Sequence, residues 1–391
     1  MLSHWVWLST REVGNQMKLA LLEHFGDPES IYYADRDEYA LVEGMKTHYF
    51  ATLEDKSLAE VNEILGNAER HGIRILTLHD AAYPGRLRNI YDPPVLLYYK
   101  GMLPNFDDEA AIAVVGTRDA TPYGIQATEK LSYGMAQQGA LIVSGLARGI
   151  DSAAHRAALR AGGKTTAVLG GGIDVIYPAE NRYLYEDVAA SGALISEYPP
   201  GTPPAGRHFP QRNRIISGLS VAILVTEAPE KSGALITAAA ALDQGREVFA
   251  VPGQIDAPMS VGCNRLIRDG AGLAAESWDI LENFQPRFAH KLRPKFVKEP
   301  EDLEYHGESV LQGAASEVKP EIDLAASDLS LTDDQILILK TLGDEPIHVD
   351  DLVEATGIPT RRVLSALTIL TVEELVEEQT GKKFTARVRL V

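Results

Sequence analysis

The sequence predicts an α/β protein: a Rossmann-like parallel sheet with helices on both faces, flanked by a small helical N-terminal domain and a C-terminal winged helix. Three observations lead there. First, short apolar runs recur at Ile112–Val115, Leu141–Val143, Thr166–Leu169, Ala193–Ile195, Val221–Val225 and Val248–Val251, and each gives way to a stretch of helical pattern. Continuous apolar strands alternating with helices imply right-handed βαβ units and a sheet buried on both faces. Second, several of these runs end in glycine turns, including Gly116-Thr117-Arg118, Ser144-Gly145 with Gly149, and Gly170-Gly171-Gly172. Third, residues 331–391 read as three short helices followed by a hairpin.

Taken in order, residues 1–56 carry apolar positions at Trp5, Val6, Leu8, Leu19, Leu22 and Phe25, punctuated by Gly14, Gly26-Asp27-Pro28 and Gly44. Small amphipathic helices follow from that pattern. Gly14-Asn15-Gln16 entering a helix is compatible with a SAM or helix-hairpin-helix module, and a plain helical packing domain accounts for it at least as well. A helix at Leu58–His71, a strand at Ile73–Leu78 and an added strand at Val95–Tyr99 complete residues 1–105. Helices within the central domain are predicted at Tyr123–Gln138, Asp151–Ala161, Asn181–Ala190, Gln211–Gly218 and Ala234–Gln244. Cys263–Arg268, a short strand at Leu273–Ala275 and Trp278–Phe284 close it. The expected organisation is 1–105 helical, 106–285 Rossmann-like, 286–330 an acidic linker and 331–391 winged-helix-like.

A chain of 391 residues suits two or three domains. Residues 1–30 lack the pattern of a secretory signal, and no apolar run reaches the roughly 20 residues that span a bilayer. One cysteine, Cys263, rules out an internal disulfide and suits a reducing compartment. The expectation is a cytoplasmic protein away from membranes. The net charge of −18 argues at first against nucleic acid, but it is unevenly spread. Between Glu299 and Asp328 nine acidic residues face one lysine.

A strand that feeds a helix through a glycine turn aims unpaired N–H groups and a positive helix end at one spot, which favours a phosphate. Such turns gather at the carboxyl edge of the sheet. Gly116, Gly145 and Gly171 are therefore expected to allow close backbone approach, with Arg118 and Arg148 lining an anion-binding crevice. The richest cluster is His208-Phe209-Pro210-Gln211-Arg212-Asn213-Arg214. Guanidinium groups for phosphates beside a flat ring for a base are what sequence-tolerant single-strand binding needs. Arg118, Arg212 and Arg214 are expected on phosphates and Phe209 under a base. Asn213 joins them, and Lys231 supplies a further cation ahead of its own glycine turn. One of Arg212 and Arg214 is expected to be spent on an internal carboxylate.

Other chemistries find less support. There is no GxGxxG or GxxxxGK[ST], so neither a dinucleotide nor a P-loop nucleotide is indicated, and no cofactor is expected. No G-x-S-x-G, HExxH or Cys/His cluster occurs. Asp151, Asp174, Glu197 and Glu227 follow strand ends and could hold a divalent cation for phosphoryl hydrolysis, although helix capping and ion pairing serve as well. His155, one turn inside its helix, reads as a packed histidine. In the winged helix, Arg361-Arg362 opens the would-be recognition helix, but seven basic against eleven acidic residues across 331–391 weaken duplex binding.

The ordered motifs Gly116-Thr117-Arg118, Ser144-Gly145-Leu146-Ala147-Arg148-Gly149-Ile150-Asp151 with His155, Gly170-Gly171-Gly172, Tyr177-Pro178, Phe209-Pro210-Gln211-Arg212-Asn213-Arg214, Ser232-Gly233, Pro252-Gly253 and Gly262-Cys263-Asn264-Arg265 resemble the bacterial DNA-processing protein A (DprA/Smf) family. The resemblance covers residues 110–284 and extends more weakly to both flanks. It implies a non-enzymatic cytoplasmic protein, often a homodimer, that binds incoming single-stranded DNA during natural transformation, protects it and loads the RecA recombinase. Family contacts would fall on Arg118 and the Phe209–Arg214 segment. Two departures stand out: the usual Gly-Ser-Arg is Gly-Thr-Arg, and Gln211 replaces a basic residue.

Overall fold

The computed structural model describes residues 1–294, 321–322, 331–342, 347–372, 375–379, 383–386 and 388–390. The chain divides into two compact units, Met1–Ser309 and Val310–Val391.

The first unit begins with six helices, α1 (Leu2–Thr10), α2 (Asn15–Phe25), α3 (Pro28–Tyr33), α4 (Arg36–Tyr39), α5 (Thr47–Glu54) and α6 (Ala59–Arg70). Asp27 and Asp35 accept backbone N–H groups at the starts of α3 and α4, as short polar caps do. Trp7, Leu21, Ile31, Tyr39, Leu53 and Val61 are fully buried between these helices. Strand β1 (Arg74–Thr77), the single turn α7 (Gly85–Arg88) and β2 (Leu96–Gly101) then lead into the sheet. The side chains of the Gly14-Asn15-Gln16 turn bond to the segment that precedes β2. Asn15 donates to Asp92 and to the Pro93 carbonyl, both at 2.8 Å, and Gln16 donates to the Tyr91 carbonyl at 2.8 Å.

The alternating part contains β3 (Ala111–Val115), α8 (Pro122–Gln137), β4 (Leu141–Ser144), α9 (Ile150–Arg160), β5 (Thr165–Leu169), α10 (Arg182–Ser191), β6 (Ala193–Ser196), α11 (His208–Leu219), β7 (Ala222–Val225), α12 (Gly233–Asp243), β8 (Glu247–Ala250), α13 (Val261–Arg268), β9 (Gly272–Leu273) and α14 (Ser277–Leu281). All nine strands form one sheet in the order β1-β2-β6-β5-β4-β3-β7-β8-β9. It is parallel from β6 to β9, and β2 adds antiparallel to β6. The strands point alternate residues to opposite faces. Ala111, Ala113 and Val115 pack with Ile215 and Ile216 of α11, whereas Ile112 and Val114 pack with Leu131 and Met135 of α8. Burial on both faces explains why these strands read as unbroken apolar runs. The predicted Rossmann-like architecture stands.

The ordered unit runs past the expected start of the linker. Phe288 and Leu292 are buried, and Lys291 donates to Glu109 at 3.0 Å. A charged tether does not form there because two large apolar side chains find a place in the core. The rest of the acidic stretch, apart from residues 321–322, lies outside the described residues.

In the second unit β10 (Glu321–Ile322) pairs in parallel with a short strand at Arg389–Leu390. Helices α15 (Asp333–Thr341), α16 (Val349–Thr356) and α17 (Thr360–Val372) accompany β11 (Ile347–His348) and a hairpin of β12 (Val376–Gln379) and β13 (Lys383–Ala386). Ile338, Leu352, Val363, Leu367 and Leu370 form its core. At the start of α17, Arg362 makes a fork-like pair with Asp334, with both bonds at 2.8 Å. One of the two arginines that open the would-be recognition helix is thus held by its own domain.

His155 is fully buried on α9, with Nδ1 2.7 Å from Thr165 Oγ1. Burial, reinforced by the charge of Arg212, pushes its imidazole down to about 3. Below pH 6.5 the unfolded chain takes up a proton that the folded chain refuses, so stability is lost as pH falls from 6.5 towards 3. The slope from this group reaches about 1.4 kcal/mol per pH unit. Urea denaturation between pH 6.5 and 5 should show that slope flattened in His155→Gln; equal slopes in both proteins would refute a neutral buried imidazole.

Candidate functional site

Strand order locates the site. From β3 the chain winds outward through β4, β5 and β6, then returns to the other side of β3 to begin β7. The carboxyl ends of β3 and β7 flank the point where winding reverses, and α/β sheets hold ligands in that crevice. A cavity of 700 Å³ lies there, lined by Gly116, Thr117 and Arg118 after β3, Ala147 and Asp151 after β4, and Lys231 and Ser232 after β7. Phe209, Arg212 and Asn213 supply the wall from α11. Residues from the first turns of α9, α11 and α12 line one space, and the positive ends of the three helix dipoles make that space attractive to an anion.

Arg118 is exposed and its guanidinium carbon stands 4.7 Å from the centroid of the Phe209 ring. A cation on an aromatic face is an attractive arrangement, worth about 0.5–1 kcal/mol at an exposed position. The Tyr177 ring, 5.8 Å from Phe209 and half-exposed, extends the same apolar surface. Arg118 also borders a smaller cavity of 140 Å³ with Arg148 and Tyr177. Arg148 is exposed and pairs with Glu180 at 2.9 Å. Such surface pairs are worth about 0–1 kcal/mol, so a phosphate can replace the carboxylate cheaply. In the same lining Lys231 is exposed and Asn213 is half-buried. Sequence reasoning did not assign Tyr177 to the site, because its ring reaches Phe209 only through the fold.

The two arginines of α11 part company. Arg212 is 4% exposed, and it donates to the Val168 carbonyl at the end of β5. Burial lowers its pKa to about 10, an effect opposed by Asp151, so it stays charged at neutral pH. Asp151 accepts from the Gly145 and Ala147 amides at 3.2 and 3.4 Å. Burial pushes its carboxyl up, while Arg212 and these amides pull it down. Arg212 therefore forms part of the cavity floor. Arg214 does not line the cavity. It binds Glu197 at 2.7 Å and Asp92 at 2.9 Å, and although burial opposes its charge, those carboxylates raise its pKa above the ordinary range. Its expected phosphate contact is displaced by this double internal pair. Gln211, also outside the cavity, accepts from the Tyr198 hydroxyl at 2.9 Å.

The glycines serve the protein's own packing. A Cβ at Gly145 would strike the Arg212 guanidinium, one at Gly116 would meet Ile150 and the Glu227 carbonyl, and one at Gly171 would come within 3.0 Å of the Thr202 carbonyl. These close approaches are of the chain to itself, and Gly116 also lines the cavity. Gly145 and Gly171 line a narrow recess behind Phe209.

The four acids do not converge. Asp151 caps the turn after β4, Asp174 accepts from Gly201 N at 2.8 Å, Glu197 holds Arg214, and Glu227 accepts from Thr121 N at 2.8 Å and its hydroxyl at 2.6 Å. Among the described residues no three His, Cys, Asp or Glu side chains group as metal ligands. Cys263 is buried, which pushes its thiol up to about 12. Among the described residues no helix is long and apolar enough to cross a membrane.

Fold and cavity together define a Rossmann-like protein with an anion-attracting crevice at the carboxyl edge of its sheet. Residues 74–285 match the family model of DNA recombination-mediator protein A, and residues 323–382 match the DprA winged helix domain. Protein Smf of Synechocystis sp. is 34% identical over 396 residues, covering 98% of each chain. DNA processing protein DprA of Streptococcus pneumoniae is 47% identical over 206 residues, 53% of this chain and 72% of that one. The X-ray structure of the S. pneumoniae protein superposes with a TM-score of 0.64 at 38% identity, covering 71% of this chain and 95% of that chain. The chain belongs to the DNA recombination-mediator protein A (DprA/Smf) family.

Gly149 sets the loop under Arg118. Its φ is +71°, and a Cβ there would lie 2.5 Å from the Thr117 carbonyl and 2.6 Å from that of Arg118. Gly149→Ala should lower unfolding free energy by about 1–3 kcal/mol in chemical denaturation. A stability equal to that of the unaltered protein would remove this constraint.

Proposed function

We propose that the crevice binds single-stranded DNA independently of sequence. In this reading the protein shields incoming strands during transformation and recombination, passes them to the RecA recombinase, works as a homodimer and catalyses no reaction. The supporting observation is a pairing in the cavity lining: an exposed guanidinium rests on an aromatic ring, with Lys231 in the same lining. Arg118, Lys231 and Arg148 would hold phosphates, while Phe209 and Tyr177 offer apolar surface to bases. Arg212 and Asn213 would contribute from the floor. Flat rings and point charges recognise features that every nucleotide carries, which is why the binding would not depend on sequence. The RecA and homodimer assignments rest on family resemblance.

Fluorescence titration of labelled oligo-dT against a duplex of equal length, over a salt series, tests this. The single strand should bind more tightly, with affinity falling as salt rises. Arg118→Ala should reduce affinity and lower the salt slope by about 0.7 for the lost phosphate contact, with the thermal midpoint unchanged. Unaltered affinity at moderate salt would remove Arg118 from the interface. In the same reading, RecA filaments should assemble faster on a protein-coated single strand when this protein is added, and slower again with Arg118→Ala.

A further inference from the structure

A second cavity of 610 Å³ opens beside the first, past the carboxyl ends of β7 and β8. Its lining is mostly apolar and contains Tyr123, Pro252, Gln254, Pro258 and Met259, with no lysine or arginine. Met259 also lines the first cavity, so the two share a wall. The loop between β3 and α8 runs along both: Thr117, Arg118 and Asp119 face the first, Thr121 and Tyr123 the second.

We infer that this second cavity is a nucleobase site, filled by a base of the same strand whose phosphates lie in the crevice; the inference rests on the single-strand reading above. A lining without cations, with the Glu227 carboxylate at its side, is a poor place for a phosphate and a good one for an uncharged flat group. The Tyr123 ring is half-exposed and held in place, because its hydroxyl donates to the Pro252 carbonyl at 2.6 Å. A ring fixed before binding loses little freedom when a base stacks on it. Met259 is anchored as well, since its carbonyl accepts from Ala228 N at 2.9 Å. Gln254 is exposed at the rim, and its amide can donate to or accept from the edge of any base. The site would therefore accept bases without strong preference. A strand lying across Arg118 and Phe209 reaches it by passing over Met259.

The test uses the full chain and oligo-dT carrying a single 5-iodo-2′-deoxyuridine, moved one position at a time. After irradiation, crosslinked peptides are mapped by mass spectrometry. One set of positions should label Tyr177 or Phe209, and a separate position should label Tyr123. Labelling confined to Tyr177 and Phe209, with binding intact, overturns the second site and leaves the crevice standing. Failure to bind single strands at all overturns both. An apolar side chain of another protein, as the true occupant, would also leave Tyr123 unlabelled by DNA. As a second measurement, Tyr123→Ala should weaken oligo-dT binding about fivefold or more, the lower end of a base–aromatic stack. That loss should vanish on a strand that is abasic at the Tyr123-labelling position, and a loss that persists there would count against stacking.

Discussion

The site depends on two nearly buried opposite charges in its own lining, Arg212 and Asp151. They lie near enough for those charges to attract. Burying two ions costs several kcal/mol each unless their remaining hydrogen-bonding groups are used. Here Asp151 takes two amides of the turn and Arg212 gives to the end of β5. The pair thus ties β4, β5, α9 and α11 into one corner. Gly145 follows from it, since any side chain there would occupy the guanidinium's place. The wall carrying Phe209 and Asn213 is oriented by the same helix that carries Arg212.

Arg214 lies two residues on, about 200° around the helix axis. It faces the other way, into Glu197 and Asp92. Asp92 in turn accepts from Asn15 and Gln16 at the start of α2. One helix therefore joins the N-terminal helices on one side and floors the crevice on the other. The conspicuous run of arginines is a divided set, and the exposed Arg118 that shares the cavity with Arg212 comes from a different loop.

An acidic chain can present a cationic crevice because charge acts locally. Nine of its acids sit in Glu299–Asp328, and Asp151, Asp174, Glu197 and Glu227 are engaged in caps and ion pairs, which leaves Asp119 as the exposed acid among the cations of the crevice lining. The ends of three helices add partial positive charge that no residue count records. Screening over about 10 Å at ordinary salt confines each charge to its own neighbourhood.

By itself the sequence determined the alternation of strands and helices, the parallel sheet and the winged helix, because local hydrophobic period and glycine punctuation encode them. It also placed Arg118, Phe209 and Lys231 at one edge, since residues after successive parallel strands must meet there. It left open which arginine of Arg212 and Arg214 would be spent internally, because a two-residue offset says only that they diverge. Tertiary structure decided that, and it set both arginines to internal work, one on the cavity floor and one outside. It also decided that the glycines admit neighbouring side chains and carbonyls, that Phe288 and Leu292 belong to the core, and that Tyr177 stands beside Phe209. Each of these turns on which distant segments come within a few ångströms, a quantity that no local pattern carries.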